Sequence, residues 1–191
     1  MKLIWENITW KKILVATIFF GAMYYLINFS AMGVYGLNQL TDGIGILDLE
    51  VGYTPEFAYD LFARLGEDGR QFYLYRIIPL DFMFPLSYMI FLSMTIAYFF
   101  QKNFSKSHLF QKVRWVPVLT ALFDYLENIM IIILLTRYPR EVYSVVYIAD
   151  VFTRIKFFLF MCSIFLFIIG AVIAIIMSII KKIRRVRDAS K

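Results

Sequence analysis

Asp124, Glu127 and Asn128 lie inside the apolar run FDYLENIMIIILL. They stand at i, i+3 and i+4, so a helix carries all three on one face. Thr120 and Pro117 extend that face in the direction of the amino end. Two carboxyls and an amide in hydrocarbon are equipped to hold a proton, a metal cation or the amine of an amphiphile. Two carboxyls in unlike surroundings also suit general acid–base chemistry. An acid facing lipid at a helix centre costs roughly 2.5–3.5 kcal/mol on insertion scales. The face must therefore turn toward protein, with a proton or a cation close by.

Partners for this face are expected on the other apolar runs. In the first run Thr17, Gly21, Tyr24, Asn28, Ala31 and Tyr35 recur at helical spacing, a small and polar stripe suited to a neighbouring helix. In the second, Arg70, Ile77, Asp81 and Tyr88 align, with Arg76 on a different face. In the fourth, Asp150 and Arg154 form an i, i+4 pair, and Ser163, Gly170 and Ala174 make a small-residue stripe. The candidates for ligand or ion binding are Asp124, Glu127, Asn128, Asp81, Asn28, Tyr24 and Tyr88. Asn28, Asn128, Tyr24 and Tyr88 are expected to donate to the deep carboxyls. Arg76, Asp150, Arg154 and Lys156 are expected to form an outer charged layer. There Lys156 snorkels outward, and the basic groups pair with Asp81 and Asp150 rather than with the deeper acids. The result is a polar funnel narrowing to Glu127. Interhelical hydrogen bonding that merely holds a bundle together is the competing account, above all for Asn28, Thr17 and Thr120.

No catalytic residue, metal-ligand set or cofactor motif is assigned. The lone Cys162 forms no internal disulfide, and the lone His108 sits in a basic connection. Gly-rich phosphate loops and nucleophile elbows are absent.

The elements that must position these residues are long apolar helices. Of 191 residues, 61% are hydrophobic and 19% aromatic, and the mean hydropathy is +0.69. Soluble domains hold roughly 45–50% apolar residues, and a soluble chain this short could not hide the excess. The composition predicts an all-α, multi-pass membrane protein, a bundle of four transmembrane helices forming one membrane domain. The spans fall at about 13–35, 72–100, 115–135 and 151–180. The first run is too long for a signal peptide and is expected to be retained. Pro79 and Pro85 in the second span mark either a gating bend or a static kink filled by neighbours.

Charge predicts direction. Lys2, Lys11 and Lys12 precede the first span, Lys102, Lys106, Lys112 and Arg114 flank the second connection, and a basic tail occupies 181–191. The first connection, 36–71, carries seven acids against Arg64 and Arg70. Basic short loops stay cytoplasmic, so both termini are expected there, in a plasma or inner membrane. The net charge of +6 is spread over these membrane-flanking clusters. The bilayer and its anionic headgroups are therefore the expected partners of the tail, not nucleic acid. A membrane-protein partner or a homo-oligomer is compatible with the pattern.

Within the first connection, TDGIGILDLEVGYTP has turn signals and a short β-like alternation. A short helix follows, with Thr54 as N-cap, Pro55 at its first position and Gly66 as its stop. Phe57, Leu61, Phe62 and Leu65 share its apolar face, which lies on the membrane surface or caps the bundle. The acids of this loop do not have the spacing of an EF-hand and are expected to be solvated.

Three function classes follow: binding or transport of a proton, cation or amphiphilic ligand; an accessory or assembly subunit; and an intramembrane acid–base enzyme acting on a lipid-like substrate. In span count and buried acids the layout is similar to the four-span sterol isomerase and sigma-2 receptor group. That likeness implies cytoplasmic ends and a carboxyl-bearing membrane cavity for an amphiphile. It carries no residue pattern, and no site residue is transferred from it.

Overall fold

The computed structural model describes residues 8–104 and 112–189. His108, Lys106 and Lys2 lie outside the described residues. Among the described residues every regular element is helical, and no strand is present. The elements are α1 (Trp10–Phe29), α2 (Val34–Leu40), a 3-10 turn (Leu47–Leu49), α3 (Pro55–Phe72), α4 (Ile78–Phe104), α5 (Val116–Arg137) and α6 (Tyr143–Ala189). Four helical stretches are long and apolar enough to cross a membrane.

α4 sits centrally, packed against α1, α5 and α6, and α5 pairs closely with α6. Two cores result. At the end carrying residues 41–54, here the loop end, Leu37, Leu47, Phe62, Tyr73 and Ile77 close on Ile131, Leu134 and Val146. In the other half, Tyr88, Leu92, Ile96, Phe100 and Ala121 form the second core. α1 and α6 each bury only 11% of their most apolar window. Their outward faces, including Val15, Ile18, Phe158, Phe165 and Ile175, are bare hydrocarbon, a surface that water does not solvate well.

Thr54 caps α3 through a bond from the Phe57 amide, and Pro55 opens the helix. Glu56 accepts from its own amide and from Thr54, which holds its carboxyl below the usual range. Leu61, Phe62 and Leu65 are buried, while Phe57 remains exposed, so α3 caps the bundle. Gly66 stops its first segment, as the sequence predicts. With φ 66° and ψ −175° it breaks the helical path, after which the helix resumes to Phe72 and runs through a π turn, Tyr73–Ile77, into α4. A fresh helix restarts because the residues beyond Gly66 again favour one. The β-like alternation in TDGIGILDLEVGYTP forms no strand; Leu47–Leu49 within it is the 3-10 turn.

The prolines of α4 have identifiable compensation. Pro79 has no N–H for the carbonyl of Tyr75. Just before it, the ladder widens so that the Ile78 N–H reaches back to Tyr73 O. Pro85 likewise leaves the Asp81 carbonyl without its helical donor. Asn128 Nδ2 donates to that carbonyl at 3.1 Å, and the Tyr125 hydroxyl donates to Phe82 O at 3.0 Å. Side chains of α5 thus fill the defect in α4, as expected of a proline break compensated by neighbours.

Candidate functional site

Lys156 stands at the centre of the polar cluster. α6 begins at Tyr143, eight residues before the start read from the sequence, so Lys156 lies thirteen residues inside it. At 1.5 Å per residue that is about 20 Å from the helix start. The residue is only 8% exposed, so the expected outward snorkelling does not occur. The ammonium turns inward instead. Lys156 Nζ lies 2.5 Å from Glu127 Oε2, 3.7 Å from Asp124 Oδ1 and 3.5 Å from the Asp48 carbonyl. Placing the charge there supplies part of the cation that the acids demand. An ion pair this deep is held by good geometry and further hydrogen bonds, not by Coulomb attraction alone.

Those bonds come from three elements. Tyr88 of α4 donates to Asp124 Oδ2 at 2.9 Å, and Thr153 of α6 donates to Glu127 Oε1 at 2.7 Å. The Tyr53 hydroxyl lies 3.2 Å from Thr153 Oγ1. Burial pushes the Tyr53 phenol up, so this loop hydroxyl keeps its proton across the physiological range. Tyr73 donates a short bond to Asp48 Oδ2.

Asp48 is the residue that the sequence placed in water. It is 7% exposed, carried inward by the 3-10 turn that follows buried Ile46 and includes buried Leu47. Its carboxylate reaches the acids of α5: oxygens of Asp48, Asp124 and Glu127 all lie within 4.8 Å of one another. The only signal for this was the apolar setting ILDLEV, in which the acid follows Ile46 and Leu47, both of which are buried.

A latch fixes the segment carrying Asp48 and Tyr53. Asp150 Oδ1 accepts from the Tyr53 amide at 2.8 Å, and its other oxygen pairs with Arg154 Nε at 2.9 Å. The Arg154 guanidinium lies flat over Gly52, where a Cβ would meet it at 2.3 Å. The Asp150–Arg154 pair expected from the spacing therefore acts on the loop. Arg76 does not join any charged layer. It is exposed, on the far face of the π turn, and reaches neither Asp81 nor Asp150.

Asp81, Asp124, Asp48 and Lys156 open onto a cavity of about 330 Å³. Tyr24, Phe84, Tyr88, Phe157 and Phe160 supply aromatic wall, and Ile27, Val34 and Ile46 supply aliphatic wall. Tyr24 and Asn28 reach it from α1, but neither donates to a carboxyl. Asn28 Nδ2 bonds the Tyr24 carbonyl of its own helix at 2.9 Å, and Tyr24 packs against Phe20 and Phe84. α1 seats itself on α4 through Ala16, Ile27 and Phe20, whose ring stacks on Phe91 at 5.3 Å. The stripe through Thr17 and Gly21 is not its packing face, and Thr17 bonds back to Ile13 O. Glu127 and Asn128 lie behind the cavity wall, fully buried.

Among the described residues, the buried carboxyls are Asp48, Asp81, Asp124 and Glu127, and the buried ammonium is Lys156. Asp81 Oδ2, Asp48 Oδ1 and Asn128 Oδ1 are buried without a hydrogen-bond partner. Such groups are costly to leave unpaired and are completed by a water, a proton or a bound group. The arrangement can bind positive charge, relay protons between carboxyls, or hold a polar head beneath an apolar tail. Set against known proteins, the chain matches no family model, no curated protein and no solved structure, so its chemistry is read from this geometry.

Proposed function

We propose that the chain is a multi-pass integral membrane protein, with both termini cytoplasmic, that binds a cation or a cationic amphiphile in the cavity between α1 and the other helices. The observation that carries this reading is the pairing of an aromatic-walled cavity of about 330 Å³ with an acid-rich floor. Its volume falls at the lower end of the roughly 300–1,000 Å³ range of small-molecule pockets. Aromatic faces attract a desolvated ammonium, and Asp81 offers it a carboxylate oxygen with no hydrogen bond of its own. The apolar wall suits a hydrocarbon tail, and the bare apolar faces of α1 and α6 suit lipid. Conversion of a bound amphiphile or its passage across the membrane would use the same seat.

Native mass spectrometry of protein extracted directly from membranes tests this. A retained adduct is expected on the wild type, lost on filling the cavity with Val34→Phe and reduced at least tenfold in Asp81→Asn. An adduct-free wild type that also fails to bind added long-chain alkylamines would overturn it.

A further inference from the structure

We propose that Asp48, Asp124 and Glu127 form a calcium-class cation site, in which the ion exchanges with the Lys156 ammonium. This deepens the reading of the cavity floor as a surface for positive charge, on which it rests, and names the ion. Three oxygens within 4.8 Å of one another share a point no more than about 2.8 Å from each, and calcium–oxygen bonds run about 2.3–2.6 Å. A contraction of a few tenths of an ångström completes the contact. Magnesium, at about 2.0–2.1 Å and with a strict octahedron, requires more. The donors are all hard oxygen, which favours calcium over the zinc and copper class.

The second observation lies outside the triad. Asp81, 6% exposed, lines the same cavity as Lys156, and its Oδ2 has no hydrogen bond. It provides a second seat for the ammonium once an ion takes the first. The oxygens that Lys156 touches, Glu127 Oε2 and Asp124 Oδ1, have no hydrogen bond of their own, so departure of the ammonium frees them for a metal. Charge balance runs the same way. Four buried carboxyls face one ammonium, and a divalent ion brings further positive charge to the same group. Lys156 is then a tethered competitor that keeps the site closed to weak ligands and yields to a divalent cation. The triad joins a loop to α5, so an ion bound there also clamps the loop over the cavity.

Terbium is the probe, with Tyr88 and Tyr53 as antennae, on the full chain in nanodiscs. Saturable sensitised emission displaced by calcium is expected from the wild type. Apparent calcium affinity should fall at least tenfold in Asp48→Asn and rise at least tenfold in Lys156→Met. Absence of sensitised emission from both wild type and Lys156→Met overturns the proposal, as does emission that Asp48→Asn leaves unchanged. Should either variant fail to fold, wild-type emission that calcium does not displace overturns it alone. Alkylamine retention measured on the same sample separates the two readings: retained amine with no calcium response sinks only this one.

Discussion

At the scale of single residues, the cluster is organised by a lysine that the sequence placed at the periphery. Removing it leaves Glu127 and Asp124 with uncompensated charge in a dry interior. Breaking a buried pair in this way costs about 3–5 kcal/mol. Lys156→Met is therefore expected to be strongly destabilised, as read by denaturant titration in detergent micelles. Adding Glu127→Gln to it should recover part of the loss, because the worst orphan is removed. Equal stability of the two variants would show that Glu127 and Lys156 do not interact. The acids of α5 were legible in the sequence because a carboxyl in a hydrocarbon run is conspicuous. Lys156 was visible only as a residue near the edge of a run, since the start of α6 was not. Asp48 looked solvated because its one local signal, the apolar pair Ile46 and Leu47 before it, sits in a loop otherwise rich in acids.

At the scale of elements, helix breaks and caps decide how the loop end meets the bundle. Gly66 occupies a conformation that is essentially glycine-only, at a cost of order 1–3 kcal/mol for other residues. A Cβ there meets nothing within 4 Å, so Gly66→Ala should destabilise through backbone strain alone, and its unfolding midpoint reports that cost. Thr54→Ala removes the cap of α3 and is expected to cost about 1 kcal/mol. Hydrogen exchange should show the loss in residues 55–58 first. The repair of the α4 kink gives a sharper test. Asn128→Ala leaves the Asp81 carbonyl unsatisfied, at about 1–3 kcal/mol. In a Pro85→Ala background the restored N–H serves that carbonyl, and the same substitution should cost measurably less. A double-mutant cycle without coupling would refute the repair. Thr54 and Pro55 were readable because capping is local chemistry. The pairing of Pro85 with Asn128 was not, because it joins residues on two helices.

At the scale of the molecule, the proposed threading places α3 and the acidic loop outside and the basic ends inside. In spheroplasts, a cysteine introduced as Asp60→Cys should react with an impermeant maleimide. One introduced as Lys181→Cys should react only after permeabilisation. Labelling of both, or of Lys181→Cys alone, would refute this topology. The loop end acts as a plug rather than a fringe, since Asp48, Tyr53 and Tyr73 complete a polar layer begun on α5 and α6. A ligand that enters from that end must displace the segment latched by Asp150 and Arg154.

By itself the sequence determined an all-helical chain with four helices apolar enough for a membrane, the cap of α3, and the face shared by Asp124, Glu127 and Asn128. Hydropathy, capping and helical periodicity are properties of neighbours in the chain. Only the tertiary structure decided which charge meets those acids, that Asp48 joins them, and that Asn128 mends α4. Those outcomes depend on how helices are set beside one another, and the face of α6 that meets α5 is what turns Lys156 onto Asp124 and Glu127.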